Sequence, residues 1–283
     1  MRHGPAIALS VLLASPLAAG DTTDLPLDWP GVGGLSAIEL REDGASALLL
    51  SDRGQLHEIA LSRQDGRLTG ATLLQSLHLA PDDVPGRHLD PEGLALFPGG
   101  DLAISFEDNA PLRLHPADGG AMRQIALPPR VRLAPNAMYE ALAVDPQGRL
   151  VMLPEDPGQG GPDHPVWRLE NGRWQEVARL ATPGGYRPVG ADFGPDGQLY
   201  LLLRALGFGF RAMVLRFDPA HPEVPARRIL HLADHPRSNF EGLSVWQDPQ
   251  GTLRLLLVSD NNFSPLLEQR LLEIALDLQG PSR

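Results

Sequence analysis

The chain has 283 residues, 35 acidic and 24 basic, for a net charge of −11, and with no lysine present its basic side chains are arginines. That balance excludes a nucleic-acid partner, which needs a cationic surface, whereas abundant carboxylates suit a hard cation. Cysteine is absent, which excludes disulfides, thiolate catalysis and thiolate metal sites, and 30 glycines with 28 prolines suit a fold rich in turns.

Residues 1–20 read as a secretory leader: Arg2 and His3, an apolar run from Ala6 to Leu13, then Ala18, Ala19 and Gly20. The run is well short of the roughly 20 apolar residues that span a bilayer. Cleavage is expected after Ala19 or Gly20, with export to the periplasm or medium. Arg2 has no arginine beside it and no cysteine follows, so neither a twin-arginine signal nor a lipid anchor is expected. The remaining chain, 21–283, shows no compositional shift that would mark a linker and is expected to form a single domain.

Within it one pattern recurs: a short apolar strand, a turn ending in glycine, and a second apolar strand. The first copy starts at Gly33 (GGLSAI), turns at Gly44 and returns over 47–50. The second runs from Glu92 (EGLAL) through Gly100 to 102–105, and the third from Glu140 (EALAV) through Gly148 to 150–153. The fourth runs from Val189 (VGADF) through Gly197 to 199–203, and the fifth from Glu241 (EGLSV) through Gly251 to 253–258. Third strands are expected at 55–61, 111–115, 166–170, 212–218 and 271–276, and weaker outer strands at 72–79, 122–127, 175–180 and 227–231.

The starting positions lie 59, 48, 49 and 52 residues apart. A period near 50 with three or four short strands per copy predicts a β-propeller. Five blades are counted, and the long first interval has room for a sixth. The last copy ends without a fourth strand, so residues near 23–28 are expected to supply it and close the ring. No long stretch has a 3.6-residue apolar period, so little helix is expected. The polar, Pro/Gly-rich stretches 82–91 and 156–165 are expected to be loops.

In a propeller, the start of each inner strand and the end of the second strand meet at one mouth of the central channel. The starting positions are Gly33, Glu92, Glu140, Val189 and Glu241, and the ending positions are Asp52, Glu107, Glu155, Arg204 and Asp260. Seven of these ten are carboxylates, against 35 acids in the 283-residue chain. Two carboxylates about 4 Å apart repel by roughly 4 kcal/mol at an effective dielectric near 20. Such a cluster must share a cation, take up protons or pair with arginine. Oxygen donors without cysteine favour Ca²⁺ over zinc or copper. The alternative is that these acids hydrogen-bond neighbouring backbone amides or channel water. Ser36 and Ser244, inside inner strands, read as packing or hydrogen-bonding residues. No nucleophile elbow, zinc-protease motif, Walker loop or dinucleotide fingerprint is present.

The segments GGLSAI with LLLSDRG, DPEGLAL, YEALAV, and NFEGLSV with LLLVSDNNF and LLEIAL resemble the phytase-like β-propeller family, described by an esterase-like activity of phytase. The resemblance runs from about Gly33 to Leu276. It implies an exported bacterial propeller with repeated acids and phosphoester hydrolysis. By motif it carries over Asp52 and Arg53 from SDRG, Asp90 and Glu92 from DPEG, Glu140, Glu241, and Asp260 with Asn261 from SDNN. The metal-ligating set expected is therefore Asp52, Asp90, Glu92, Glu107, Glu140, Glu155, Glu241, Asp260 and Asn261. Ca²⁺ held there would acidify a bound water, with Glu92, Glu140 and Glu241 in the catalytic group. Arg53 and Arg204 would fork a phosphate, or else pair with neighbouring carboxylates. Arg87 and His88, in the first irregular loop, would bind substrate and act as general acid. The expected activity is phosphoric ester hydrolysis by a monomer acting on a small phosphorylated molecule. The alternatives are a non-catalytic binding or scaffold propeller and a Ca²⁺-dependent lactonase-type hydrolase.

Overall fold

Apolar runs that are buried on both faces cannot alternate in polarity, and the inner two strands of every repeat are of this kind. In the computed structural model, which describes residues 8–9, 19–41, 43–79, 90–107, 110–129, 139–158 and 161–277, they form five antiparallel sheets arranged as a five-bladed propeller. Among the described residues there is no α-helix, and no helix long and apolar enough to cross a membrane.

Strand β1 (Ala8–Leu9) lies parallel to the outer edge of the third blade. Strand β2 (Ala19–Pro26) belongs to the fifth blade. Blade I is β3 (Leu35–Leu40), β4 (Ser46–Ser51), β5 (Gln55–Gln64) and β6 (Arg67–His78). Blade II is β7 (Pro91–Leu96), β8 (Leu102–Phe106), β9 (Leu112–His115) and β10 (Arg123–Ile125). Blade III is β11 (Ala141–Val144), β12 (Leu150–Leu153), β13 (His164–Glu170) and β14 (Arg173–Leu180). Blade IV is β15 (Arg187–Phe193), β16 (Leu199–Leu206), β17 (Phe210–Phe217) and β18 (Arg227–Leu232). Blade V is β19 (Asn239–Gln247), β20 (Leu253–Asp260) and β21 (Arg270–Leu276).

The fourth strand of blade V is β2, which runs antiparallel to β21 with Thr22 opposite Ile274 and Pro26 opposite Arg270. The two chain ends thus share one sheet, as the missing strand of the last repeat requires. Arg270 pairs with Asp24 across that seam, and Arg67 of β6 pairs with Asp21, tying the closing strand to blade I.

Packing is between blades rather than around one centre. Leu50 and Leu56 meet Ile104 and Phe106 between blades I and II, and Ala103 and Leu112 meet Met152 and Trp167 between II and III. Val151 and Leu153 meet Leu201 and Phe217 between III and IV. Tyr200 and Val214 meet Phe240 and Leu255 between IV and V, and Leu256 and Val258 meet Leu49 and Ile59 between V and I. Strand β20, buried at all eight positions, lies within this packing, whereas the outer β6 is largely exposed. The glycines ending the inner hairpin turns, Gly44, Gly100, Gly148, Gly197 and Gly251, all adopt φ between 64° and 89°, a region that side chains with a Cβ avoid.

Candidate functional site

A β-bulge marks the start of four of the five inner strands, and β11, after Glu140, pairs without one. In β19, Phe240 lies opposite Ser259 and Gly242 opposite Val258, so Glu241 is the extra residue. Val189 holds the same place in β15, between Pro188 and Gly190, and β7 shifts register between Pro91 and Leu94, around Glu92. Bulges re-aim a side chain. In β3 the extra residue is Ser36, between Leu35 and Ala37. The first repeat's counterpart of the glutamates is therefore Ser36 and not Gly33, a shift of three residues from the sequence alignment. The cause is that blade I carries Ser-Ala-Ile where blades II and V carry Glu-Gly-Leu. The Ser36 hydroxyl donates to the Pro91 carbonyl at 2.9 Å, the hydrogen-bonding role expected of it.

Glycine after the acid has a packing reason. A Cβ on Gly93 would stand 2.4 Å from the Glu140 carbonyl oxygen, and one on Gly190 would stand 2.5 Å from that of Glu241. Only glycine lets neighbouring inner strands close to this distance. That approach brings glutamates of different blades toward one axis.

The second strands supply the outer set. Asp260 lies opposite Asn239, Arg204 opposite Arg187, and Asp52 donates its backbone N–H to Gly34 at 2.8 Å. Arg204 is the counter-ion on one side. It binds Glu155 at 3.0 Å and makes a short contact with Glu241, and it donates to Asn239 Oδ1 at 3.3 Å. Asn239 in turn donates to Glu241 at 2.8 Å, and Arg187 reaches Glu155 at 3.2 Å. The sequence reading missed Asn239 and Arg187; their signal was their place opposite Asp260 and Arg204.

The buried acids of the mouth are shifted upward throughout, and Asp52 and Glu92 make no ion pair among the described residues. Burial, then Asp260 and Asp90, push the Asp52 carboxyl up to about 6, and its Oδ1 is buried with no hydrogen-bond partner. Burial, then Glu140 and Glu241, raise Glu92 well above the usual carboxylate range. Burial and then Glu155 raise Glu140, against the pull of Arg204. Glu241 is pushed to about 7 by burial, with Arg204 opposing. Burial raises Asp260, while the Asn262 N–H, at 2.6 Å, works against that rise. Asp90 and Glu107 adjoin Glu92 electrostatically, so all eight expected carboxylates belong to this mouth.

Asn261 is used differently. Its side-chain oxygen accepts from the N–H groups of Gly34, at 3.2 Å, and Phe263, at 3.0 Å, fastening blade V to blade I. Asn262 and Phe263 both have left-handed φ, 47° and 50°, a strained pair of the kind found at functional loops. The Arg53 guanidinium lies 3.4 Å over the Phe263 ring and is exposed to solvent. Arg87 and His88 lie outside the described residues.

The donors fit a hard cation in kind: they are oxygens, and the buried Asp52 Oδ1 is one that a cation would satisfy. Their spacing is wider, for among the described residues no three Asp, Glu or His side chains converge as metal ligands. Binding would have to draw them inward.

The family described as Phytase-like: Esterase-like activity of phytase matches residues 30–263. No curated protein matches the chain. Among solved structures, a gluconolactonase from Xanthomonas campestris is 14% identical, with a TM-score of 0.52, over 98% of this chain and 98% of its own. A luciferin-regenerating enzyme is 10% identical, with a TM-score of 0.51, over 92% and 98%. At such identities the likeness is one of fold.

Proposed function

This chain belongs to the phytase-like family, and from that premise we propose that its acidic mouth binds Ca²⁺ and hydrolyses a phosphoester. The observation that carries the reading is the asymmetry of the mouth. Arg204 pairs with Glu155 and Glu241 and acts against the rise of Asp260, whereas Asp52 and Glu92 are raised by burial and by neighbouring acids. Asp52, Asp90, Glu92 and Asp260 are the residues that would hold the ion. When bound, Ca²⁺ supplies charge neutralisation and a more acidic water.

The remaining groups divide the other tasks. Glu241, pushed to about 7 and oriented by Asn239 and Arg204, accepts the proton of the attacking water. Glu140, raised by burial, holds the proton that the leaving oxygen takes. Arg53, spread on Phe263, offers its guanidinium fork to the phosphate oxygens. Arg204 is engaged by carboxylates and acts as the positioning residue of Glu241. The reading includes export: loss of residues 1–20 would remove the pairing of Ala19 with Leu276 but leave β2 paired from Thr22 to Pro26, so cleavage there is compatible with ring closure.

The test is thermal melting and turnover of a phosphomonoester, a phosphodiester and a sugar lactone, each with EDTA and with Ca²⁺. Ca²⁺ at about 100 times its Kd is expected to stabilise the protein by about 2.7 kcal/mol, restore phosphoester turnover after chelation, and do neither in Asp52→Asn or Glu92→Gln. Turnover of the lactone alone would replace the phosphoester reading with a lactonase. Stabilisation without turnover of any substrate would make the protein a binding propeller, and no response to either additive would remove the ion.

A further inference from the structure

A cavity of about 590 Å³ opens at the mouth opposite the acids, within the roughly 300–1,000 Å³ range of small-molecule sites. All five inner strands end on it, and Glu39 and Asp192 lie on its inner side. It is separate from the acidic mouth. At the waist of the channel, where Gly93 and Gly190 bring the inner strands together, only about 10 Å³ is open, no more than a single water needs.

The two carboxyls are built in rather than stranded. Asp192 Oδ2 accepts from the Val245 N–H at 2.6 Å and the Ser244 hydroxyl at 3.1 Å, and Oδ1 from the Phe193 N–H at 2.7 Å. The Ser244 oxygen accepts from the Leu40 N–H at 3.1 Å, which orients its proton toward Asp192. Glu39 is 5% exposed and takes one backbone hydrogen bond, from Leu96. Burial and then Asp192 raise Glu39 well above the usual carboxylate range, and burial raises Asp192 to about 7. Among the described residues, no arginine or histidine is paired with either acid. The nearby arginine on the rim, Arg41, pairs with Glu58 instead.

A cavity with two neighbouring buried carboxyls and an apolar wall selects its ligand by charge. An organic cation would favour the ionised form of both acids, whereas an anion would oppose it and a neutral apolar molecule would give neither a charge partner. A bare metal ion would make no use of the wall. We propose that this cavity binds a small organic cation, an ammonium whose charge lies between Glu39 and Asp192 and whose apolar body packs on Phe97, Val144 and Phe193. This site is independent of the chemistry assigned to the acidic mouth.

The test is titration calorimetry of the purified protein with benzylamine, benzyl alcohol and benzoate at neutral pH. Benzylamine, charged there as benzylammonium, should bind, and the alcohol and the acid should not. Glu39→Gln and Asp192→Asn should each weaken it by about tenfold or more, while Asp52→Asn, at the other mouth, should leave it unchanged. Equal binding of benzyl alcohol, undiminished binding in both cavity variants, or no heat with benzylamine would each overturn the proposal. Should a cavity variant fail to fold, the amine-against-alcohol comparison on the unaltered protein decides.

Discussion

On the side of the acidic mouth formed by blades III, IV and V, Arg204 occupies a repeat position that holds carboxylates elsewhere and neutralises Glu155 and Glu241. On the side formed by blades I and II, the corresponding position carries Asp52 or Glu107, and Asp52 and Glu92 have no ion pair among the described residues. Both sides come from the same inner hairpin, repeated in every blade. One residue exchanged in one repeat therefore separates a self-neutralised side from a side whose charge awaits protons or a cation.

Removing the internal counter-ion should have the largest effect. Arg204→Ala leaves Glu241 buried without its ion-pair partner, while Glu155 keeps Arg187, and loss of one member of a buried pair costs about 3–5 kcal/mol. Urea denaturation at neutral pH should read that loss, and a stability change below about 1 kcal/mol would show that the two sides are not electrostatically distinct.

The uncompensated side should show itself through pH. The folded Asp52 carboxyl titrates near 6, against 3.8 for the free group. The native state therefore binds more protons across that window, so the stabilising contribution is complete below about pH 4 and is lost as pH rises through about 6. Melting in EDTA should reveal this fall, and Asp52→Asn should flatten it; an unchanged slope would mean that other acids carry the titration. The smallest effect belongs to the seam between blades V and I. Arg53→Ala removes an exposed cation–π contact with Phe263, worth about 0.5–1 kcal/mol, and should shift the melting temperature only slightly. If it also leaves phosphoester KM unchanged, Arg53 is a fastener and not a substrate ligand.

Much of this was legible in the repeat. The spacing of Gly33, Glu92, Glu140, Val189 and Glu241 announces blades, and the missing last strand announces closure by the N-terminal segment, which β2 provides. The acids at strand ends are equally legible, because a hairpin's two ends meet wherever the hairpin lies. Less legible was the first repeat, where Ser36 takes the glutamate's place. A bulge adds a residue without changing local polarity, so only the pairing of Leu35 with Ser51 and Ala37 with Leu50 reveals it. Glu39 and Asp192 were each visible as a charge inside an apolar inner strand. Their meeting across blades I and IV was not, since it depends on the closure of the ring.

Local polarity and glycine spacing alone determined the strands, the propeller repeat, the closing strand and the side of the ring on which the acids gather, because each follows from contacts within one hairpin or from a strand left unpaired. The structure decided that the blades number five and not six. Tertiary structure decided which acids share a counter-ion, that the channel is pinched shut at its waist, and that a second pair of carboxyls lies beyond it. Those features arise between blades distant in sequence, where backbone approach at Gly93 and Gly190 and the reach of Arg204 set distances that no single repeat contains.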